Sequence, residues 1–273
     1  HLRLLEVMKT VGVIGNGFVG NAIYQNFKER EVPAKVFDVL PEKAVDSYED
    51  VLSADYIFVC LPTPMMDSGE CNVSYVTSFF EEVPQNQKGV FVLKSTVPIG
   101  TTRKISESRP DLKIVHNPEF LTAENAKDDF FNCDRNIFGG NKLDCLDLAS
   151  FLFNVFPEWR KSPYYIVSSD ESETIKYFSN CYLSVKISYF NNVFQTCEKL
   201  GMDYEAVRSA ITDDVRINKH HTKVPGPDGK LGYGGYCFPK DINALIHTLN
   251  EMGINSELLS SSWSYNQKIR KDS

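Results

Sequence analysis

The chain has 273 residues, 42% of them hydrophobic and 24% charged, with a formal net charge of −7. That length supports a sizeable core in one or two domains, and the composition is that of an ordinary soluble globular protein. Binding a nucleic-acid backbone depends on neutralisation by Lys and Arg, so the acidic balance speaks against such a partner; a local basic pocket for a small anion stays open. No stretch approaches the roughly 20 apolar residues of a membrane helix. The seven residues before Met8 are too few, and end too acidic, for a secretory signal. Met8 reads as the natural start, with the preceding segment foreign to the native chain. The cysteines (Cys60, Cys71, Cys133, Cys145, Cys181, Cys197 and Cys237) are odd in number and contain no CxxC pair. They fit neither a disulfide framework nor a zinc site, so reduced cytoplasmic thiols and no metal are expected.

In chain order, short β-branched runs predict strands at 10–14, 35–38, 56–60, 90–94, 113–116, 136–139 and 164–167. Helix-compatible segments lie between them, for example 19–29 and 101–108. This alternation predicts an α/β fold, an N-terminal Rossmann-type doubly wound parallel sheet over 8–167. Pro62, Pro64, Pro98 and Pro118 fall just beyond strand ends, where the ligand-binding loops of such sheets turn. From about residue 168 the pattern becomes helical. The stretch 171–200 has no Gly or Pro and places Ile175, Phe178, Leu183, Ile187, Phe190 and Phe194 at helical spacing. Gly201 follows as its stop. A helix at 204–211, a Pro- and Gly-rich loop at 224–235, and helices at 241–252 and about 257–268 complete a smaller all-helical domain, 168–273.

Gly15-Asn16-Gly17-Phe18-Val19-Gly20 is a G-x-G-x-x-G that follows a predicted strand and opens a helix. Gly15 permits the tight turn, Gly17 admits the backbone to a pyrophosphate, and Gly20 lets helix and strand pack closely. Asp38 closes the second strand 18 residues after Gly20. A carboxylate there accepts from a ribose 2′-hydroxyl and repels a 2′-phosphate, which predicts NAD over NADP. FAD uses a similar fingerprint, but nothing later in the chain suggests a flavin.

Cys237 lies in Gly232-Tyr233-Gly234-Gly235-Tyr236-Cys237-Phe238-Pro239-Lys240-Asp241, between a glycine loop and a helix start. A thiol near Lys240 and a helix N-terminus is expected to ionise readily, and the thiolate is the nucleophile. The surrounding glycines suit backbone that approaches a substrate better than they suit a packed core. The other six cysteines read as small buried hydrophobes. Lys176 and Asn180, four apart, share a helix face and could polarise a substrate oxygen, although a lone K-x-x-x-N is more often solvated. Glu119, just past a strand end and a proline, is either a surface carboxylate or a catalytic one. His220 and His221, adjacent and without further ligands, read as a solvated loop.

Taken together, these segments resemble the UDP-glucose/GDP-mannose dehydrogenase family over nearly the whole chain from Met8. The resemblance is carried by 15–20, Leu61-Pro62-Thr63-Pro64, Lys94-Ser95-Thr96-Val97-Pro98, Asn117-Pro118-Glu119-Phe120-Leu121, 173–180 and 234–241. It implies NAD-linked oxidation of a UDP-sugar primary alcohol, that of UDP-glucose above all, to the carboxylate. Two hydride transfers are needed, the second from a thiohemiacetal on Cys237, and the resulting thioester is hydrolysed. By the same resemblance Lys176 stabilises the oxyanion with help from Asn180, Asp241 and Thr96 hold a water, and Glu119 moves protons. The glycine turn, Asp38, Thr63, Pro64 and Thr96 would contact the cofactor. Glu119, Phe120, Leu121, Lys176, Asn180, Gly234 and Lys240 would contact the sugar nucleotide. Arg216 would reach it across a homodimer interface formed by the long helix.

The chain departs from the family pattern at several points. It ends 36 residues after Cys237, where family members continue into a nucleotide-gripping third domain. Tyr236 stands where a small residue is usual, Ala123 stands where some members have a second glutamate, and 221–231 carries an insertion. Two other readings stay open. One is a β-hydroxyacid-type dehydrogenase, which needs one hydride transfer and no cysteine. The other is a non-catalytic NAD-binding remnant.

Overall fold

The computed structural model describes residues 8–271. The seven-residue segment before Met8, read above as foreign, lies outside that range. The described chain divides into two compact units, 8–63 with 72–176, and 64–71 with 177–271.

The first unit is built on seven strands: β1 (Val11–Ile14), β2 (Ala34–Phe37), β3 (Tyr56–Val59), β4 (Val90–Leu93), β5 (Lys113–His116), β6 (Asn136–Gly140) and β7 (Tyr164–Val167). Their order is β2-β1-β3-β4-β5-β6-β7. All neighbouring pairs are parallel except β5 with β6, where His116 faces Gly139 in antiparallel register. That reversal is the departure from an all-parallel sheet. Between β5 and β6 the chain runs over 117–135 and carries only the short helix α5 (Ala126–Phe131).

Successive strand side chains point to opposite faces, and both faces are buried. On β3 and β4, Tyr56, Phe58, Val90 and Val92 join one apolar cluster, while Ile57, Val59, Phe91 and Leu93 join the other. Helix α1 (Phe18–Glu29) covers the first side with Ile23 and Phe27. On the second side lie α2 (Tyr48–Leu52), α3 (Ser74–Glu82) and α4 (Thr101–Ser108), through Val51, Phe80 and Ile105. Helix α6 (Lys142–Val155) returns to the first side with Leu148 and Leu152. The parallel strands β1, β3, β4 and β5 all end on one edge, and the order reverses around β1, the switch point where such sheets bind ligands.

Helix α7 (Ser169–Leu200) starts two residues before the predicted 171 because Ser168 and Glu171 form a reciprocal cap. The Ser168 N–H donates to Glu171 Oε2 at 2.7 Å, and the Glu171 N–H donates to Ser168 Oγ at 3.2 Å. Its residues through Lys176 belong to the first unit, and those from Tyr177 to the second. The second unit adds α8 (Tyr204–Thr212), α9 (Cys237–Glu251) and α10 (Glu257–Lys271).

The buried stripe of α7 matches the apolar one expected at Phe190 but not at Phe178. Lys176, Tyr177, Asn180, Cys181, Ser184, Ser188 and Asn191 are buried, whereas Phe178 is exposed. Small and polar residues occupy this face because they answer polar groups on neighbouring segments. The Ser188 and Ser262 hydroxyls meet at 2.9 Å, and Asn191 Oδ1 accepts from the Gly232 N–H at 2.9 Å. Among the described residues no helix is long and apolar enough to cross a membrane.

Candidate active site

The glycine turn sits between β1 and α1. Gly15 adopts φ +90°, and a Cβ there would lie 2.6 Å from the carbonyl oxygen of Cys60. A Cβ on Gly20 would lie 1.8 Å from the carbonyl oxygen of Gly15, so helix and turn touch backbone to backbone. At Gly17, the N-cap of α1, a Cβ would meet nothing within 4 Å and no side chain caps the helix. Its first N–H groups, with the exposed ring of Phe18 and half-buried Val19 beside them, therefore face open space, which suits a pyrophosphate.

Asp38 is drawn to this turn. Its Oδ2 accepts from the Asn16 N–H at 2.7 Å and its Oδ1 from the Leu40 N–H at 2.9 Å. Asn16 Nδ2 donates to the Lys43 carbonyl at 2.8 Å, while Asn16 Oδ1 is a buried acceptor with no partner. An orphaned acceptor and a carboxylate beside a side-chain-free helix end fit the ribose and phosphates of NAD.

The loops after β3 and β4 are stitched together. The Thr63 hydroxyl donates to the Thr96 carbonyl at 2.7 Å and the Ser95 hydroxyl to the Leu61 carbonyl at 2.7 Å. Pro64 opens the 64–71 segment that groups with the second unit.

Past β5, Lys176 and Glu119 are paired and buried, with 3% and 8% exposure. Neither is the solvated group its local sequence would allow. The Lys176 ammonium donates to the Glu119 carbonyl oxygen and, at 3.3 Å, to Glu119 Oε1. The other Glu119 oxygen accepts from the Leu121 N–H at 2.6 Å. The Phe120 ring lies 5.0 Å from Lys176 Nζ and 4.0 Å from the Arg135 guanidinium carbon.

Sequence reasoning gave Lys94 no role. It ends a fully apolar strand and is buried, donating to Asn117 Oδ1 at 2.7 Å. Burial brings its pKa down to about 8. It borders a cavity of about 250 Å³ lined also by Asn117, Glu119, Phe120, Cys133 and Arg135. The detectable signal was a lysine closing the run Val90–Leu93.

In the second unit Cys237 is the first residue of α9, which begins four residues before the predicted 241. Pro239 is tolerated there because first-turn N–H groups need no intrahelical acceptor. Cys237 is half-buried. Behind it Lys240 and Asp241 are buried and joined, Lys240 Nζ to Asp241 Oδ1. The second Asp241 oxygen accepts from Asn180 Nδ2 at 2.6 Å. Burial alone would lower the Lys240 pKa. Asp241, with the Cys71 and Cys237 thiols, outweighs it and raises the pKa, which keeps the ammonium charged.

The glycine stretch before Cys237 has a packing purpose after all. A Cβ on Gly232 would lie 2.2 Å from Asn266 Oδ1, and one on Gly234 would lie 2.5 Å from the Arg270 guanidinium. The Tyr233 N–H donates to Asn266 Oδ1 at 2.7 Å, and Asn266 Nδ2 returns a bond to the Tyr233 carbonyl at 2.9 Å. So the loop is pinned by α7 and α10. Arg216 stands apart, exposed and held in two bonds by Asp214 at 3.0 and 2.6 Å. The His221 ring packs edge-on against Phe238.

The NAD binding domain of the UDP-glucose/GDP-mannose dehydrogenase family matches residues 40–157, and the central domain of that family matches residues 170–268. The UDP-glucose 6-dehydrogenase YwqF of Bacillus subtilis (strain 168) is 36% identical over 225 residues, 79% of this chain and 49% of YwqF. A solved UDP-glucose dehydrogenase from the hyperthermophilic archaeon Pyrobaculum islandicum aligns with TM-score 0.85 and 26% identity, over 98% of this chain and 70% of that one. The 3-hydroxyisobutyrate dehydrogenase of Mycobacterium tuberculosis aligns with TM-score 0.74 over 97% of this chain and 95% of that one. At 18% identity that likeness concerns the fold alone. The chain spans less than two thirds of the length of the curated relatives it matches.

Proposed function

Since the chain belongs to the UDP-glucose/GDP-mannose dehydrogenase family, we propose that it oxidises the primary alcohol of a nucleotide sugar, UDP-glucose foremost, to the carboxylate with NAD. The observation that carries this reading is Cys237 opening α9 in front of the buried Lys240–Asp241–Asn180 network. A core thiol needs no such network, whereas a nucleophile does.

Gly15, Asn16, Gly17, Gly20 and Asp38 would hold NAD, and two NAD molecules bound in turn would each supply one hydride acceptor. The Cys237 thiolate adds to the aldehyde carbon; the C–S bond forms as the C=O π bond opens to an oxyanion, which takes up a proton to give the thiohemiacetal. After the second oxidation, water attacks the thioester carbon, the C–S bond breaks and the thiolate is restored. Lys176, a buried cation, stabilises the oxyanion at each addition, with Asn180 helping to position it. Asp241 and Thr96 hold the water, and Glu119 moves protons at the same carbon. Phe120, Leu121, Gly234 and Lys240 border the sugar nucleotide. A homodimer completes the site with Arg216 from the second copy. Phe178, Tyr182 and Tyr189, exposed at helical spacings of four and seven, give α7 the aromatic face such a dimer would cover.

The fold shared with 3-hydroxyisobutyrate dehydrogenase favours a second reading, a single-hydride alcohol dehydrogenase in which Cys237 is a bystander. NADH formed per sugar, measured on UDP-glucose, UDP-N-acetyl sugars and GDP-mannose, separates the two. Two NADH per sugar support the thioester route. One NADH, unchanged in Cys237→Ser, overturns it.

A further inference from the structure

Helix α7 is fastened to the N-terminus of α4 by a residue that no part of the proposed reaction employs. Glu173 is fully buried, one helical turn before Lys176. Its Oε2 accepts from the Gly100 N–H at 2.6 Å and its Oε1 from the Thr102 N–H at 2.8 Å. These are orphan donors at the N-terminus of α4, which has no side-chain cap and no acidic residue in its own first turn. A remote carboxylate therefore caps α4, against the positive end of its dipole.

The loop between β4 and α4 carries Thr96, held at its start by the Thr63 hydroxyl and at its end by Glu173. The same helix turn carries Lys176 to Glu119, and Ser172 bonds His116 Nδ1 at 2.8 Å. A parallel tie, Arg103 to Asp170 at 3.1 Å, is solvent-exposed and therefore weak.

We propose that Glu173 is a positioning residue of the dehydrogenase reaction: by gripping the Gly100 and Thr102 N–H groups it fixes Lys176 and the Thr96 loop in one frame. This rests on the dehydrogenase reading above. The clamp works as a carboxylate, since protonation turns one acceptor oxygen toward a donor role. Burial pushes the Glu173 pKa up to about 7, with Asp170 adding to the rise, against the pull of the Thr102 and Gly100 donors. The charged group that acts on Glu173 is Asp170 on α7; Arg103 on α4 pairs with Asp170 at 3.1 Å and with Glu107 at 3.5 Å, and Lys176 pairs with Glu119 at 3.3 Å. His116 is held neutral by burial, its pKa down to about 3, and Lys94 titrates higher, near 8. The rate should therefore rise with pH through a limb centred near 7.

The test compares kcat–pH profiles of the parent with Glu173→Gln, Glu173→Asp and Arg103→Gln, alongside acetic-anhydride labelling of Lys176 read by mass spectrometry. Glu173→Gln should lower kcat by about tenfold or more and lose the limb near pH 7, with KM for NAD within about twofold. Glu173→Asp should lower kcat yet keep the limb. Arg103→Gln should match the parent. A folded Glu173→Gln with the parent's kcat and limb overturns the proposal. If that variant does not fold, parental kcat in Glu173→Asp overturns it instead. Should the parent produce no NADH from any sugar, the dehydrogenase reading fails and Lys176 labelling decides the clamp: faster labelling in Glu173→Gln supports it, and equal labelling overturns it.

Discussion

Two helix N-termini, those of α1 and α9, each follow a glycine-rich turn, yet they are built for different work. At α1 the end is bare. Gly17 leaves space empty, and Gly15 and Gly20 are fixed by backbone oxygens that cannot move aside. At α9 the end carries a thiol, and the preceding glycines are fixed by the tips of Asn266 and Arg270. The first turn offers backbone to a ligand. The second is packing that delivers a side chain. Glycine in a motif is thus evidence of close approach, and what approaches has to be asked separately.

Substitutions at these ends sharpen the contrast. The largest effect is expected from Cys237→Ala, which should reduce two-NADH turnover by roughly 10³-fold or more while NAD titration by fluorescence stays unchanged. Gly20→Ala comes next. Its Cβ would press on a carbonyl oxygen within the turn, so denaturant unfolding should show a loss of about 3 kcal/mol or more, and NAD affinity should fall with it. Smallest is Gly234→Ala, whose new methyl meets the end of a flexible arginine. It should cost about 1 kcal/mol by the same measurement and leave NAD binding intact. Equal losses in the two glycine variants would erase the distinction.

The legible part of the molecule was whatever repeats locally. Strand alternation, the Gly15–Gly20 turn and Asp38 can each be read within a short window, because φ/ψ demands and burial periodicity act over neighbouring residues. The antiparallel β6 was hidden, since strand direction depends on the path of the intervening chain. The buried stripe of α7 was read only in part for a related reason: Phe190 is buried as expected, but Phe178 is exposed. Ser184, Ser188 and Asn191 look like surface residues until Ser262 and the Gly232 N–H are seen opposite them. Lys94 and Glu173 fell within family segments yet were given no role, their partners lying 23 and about 70 residues distant. Cys237 was singled out by its local setting between a glycine loop and a helix start, whereas Lys176 and Asn180, legible only as neighbours on one helix face, gained a role through the family pattern.

Asp38 has a consequence for engineering. Both its oxygens already serve as struts between the Asn16 and Leu40 amides, and Asn16 in turn ties the turn to Lys43. Replacing the acid with a cation to welcome a phosphorylated ribose would also remove the peg on which residues 38–43 hang. Retargeting this protein to the other nicotinamide coenzyme is therefore a loop-rebuilding problem as much as a problem of charge.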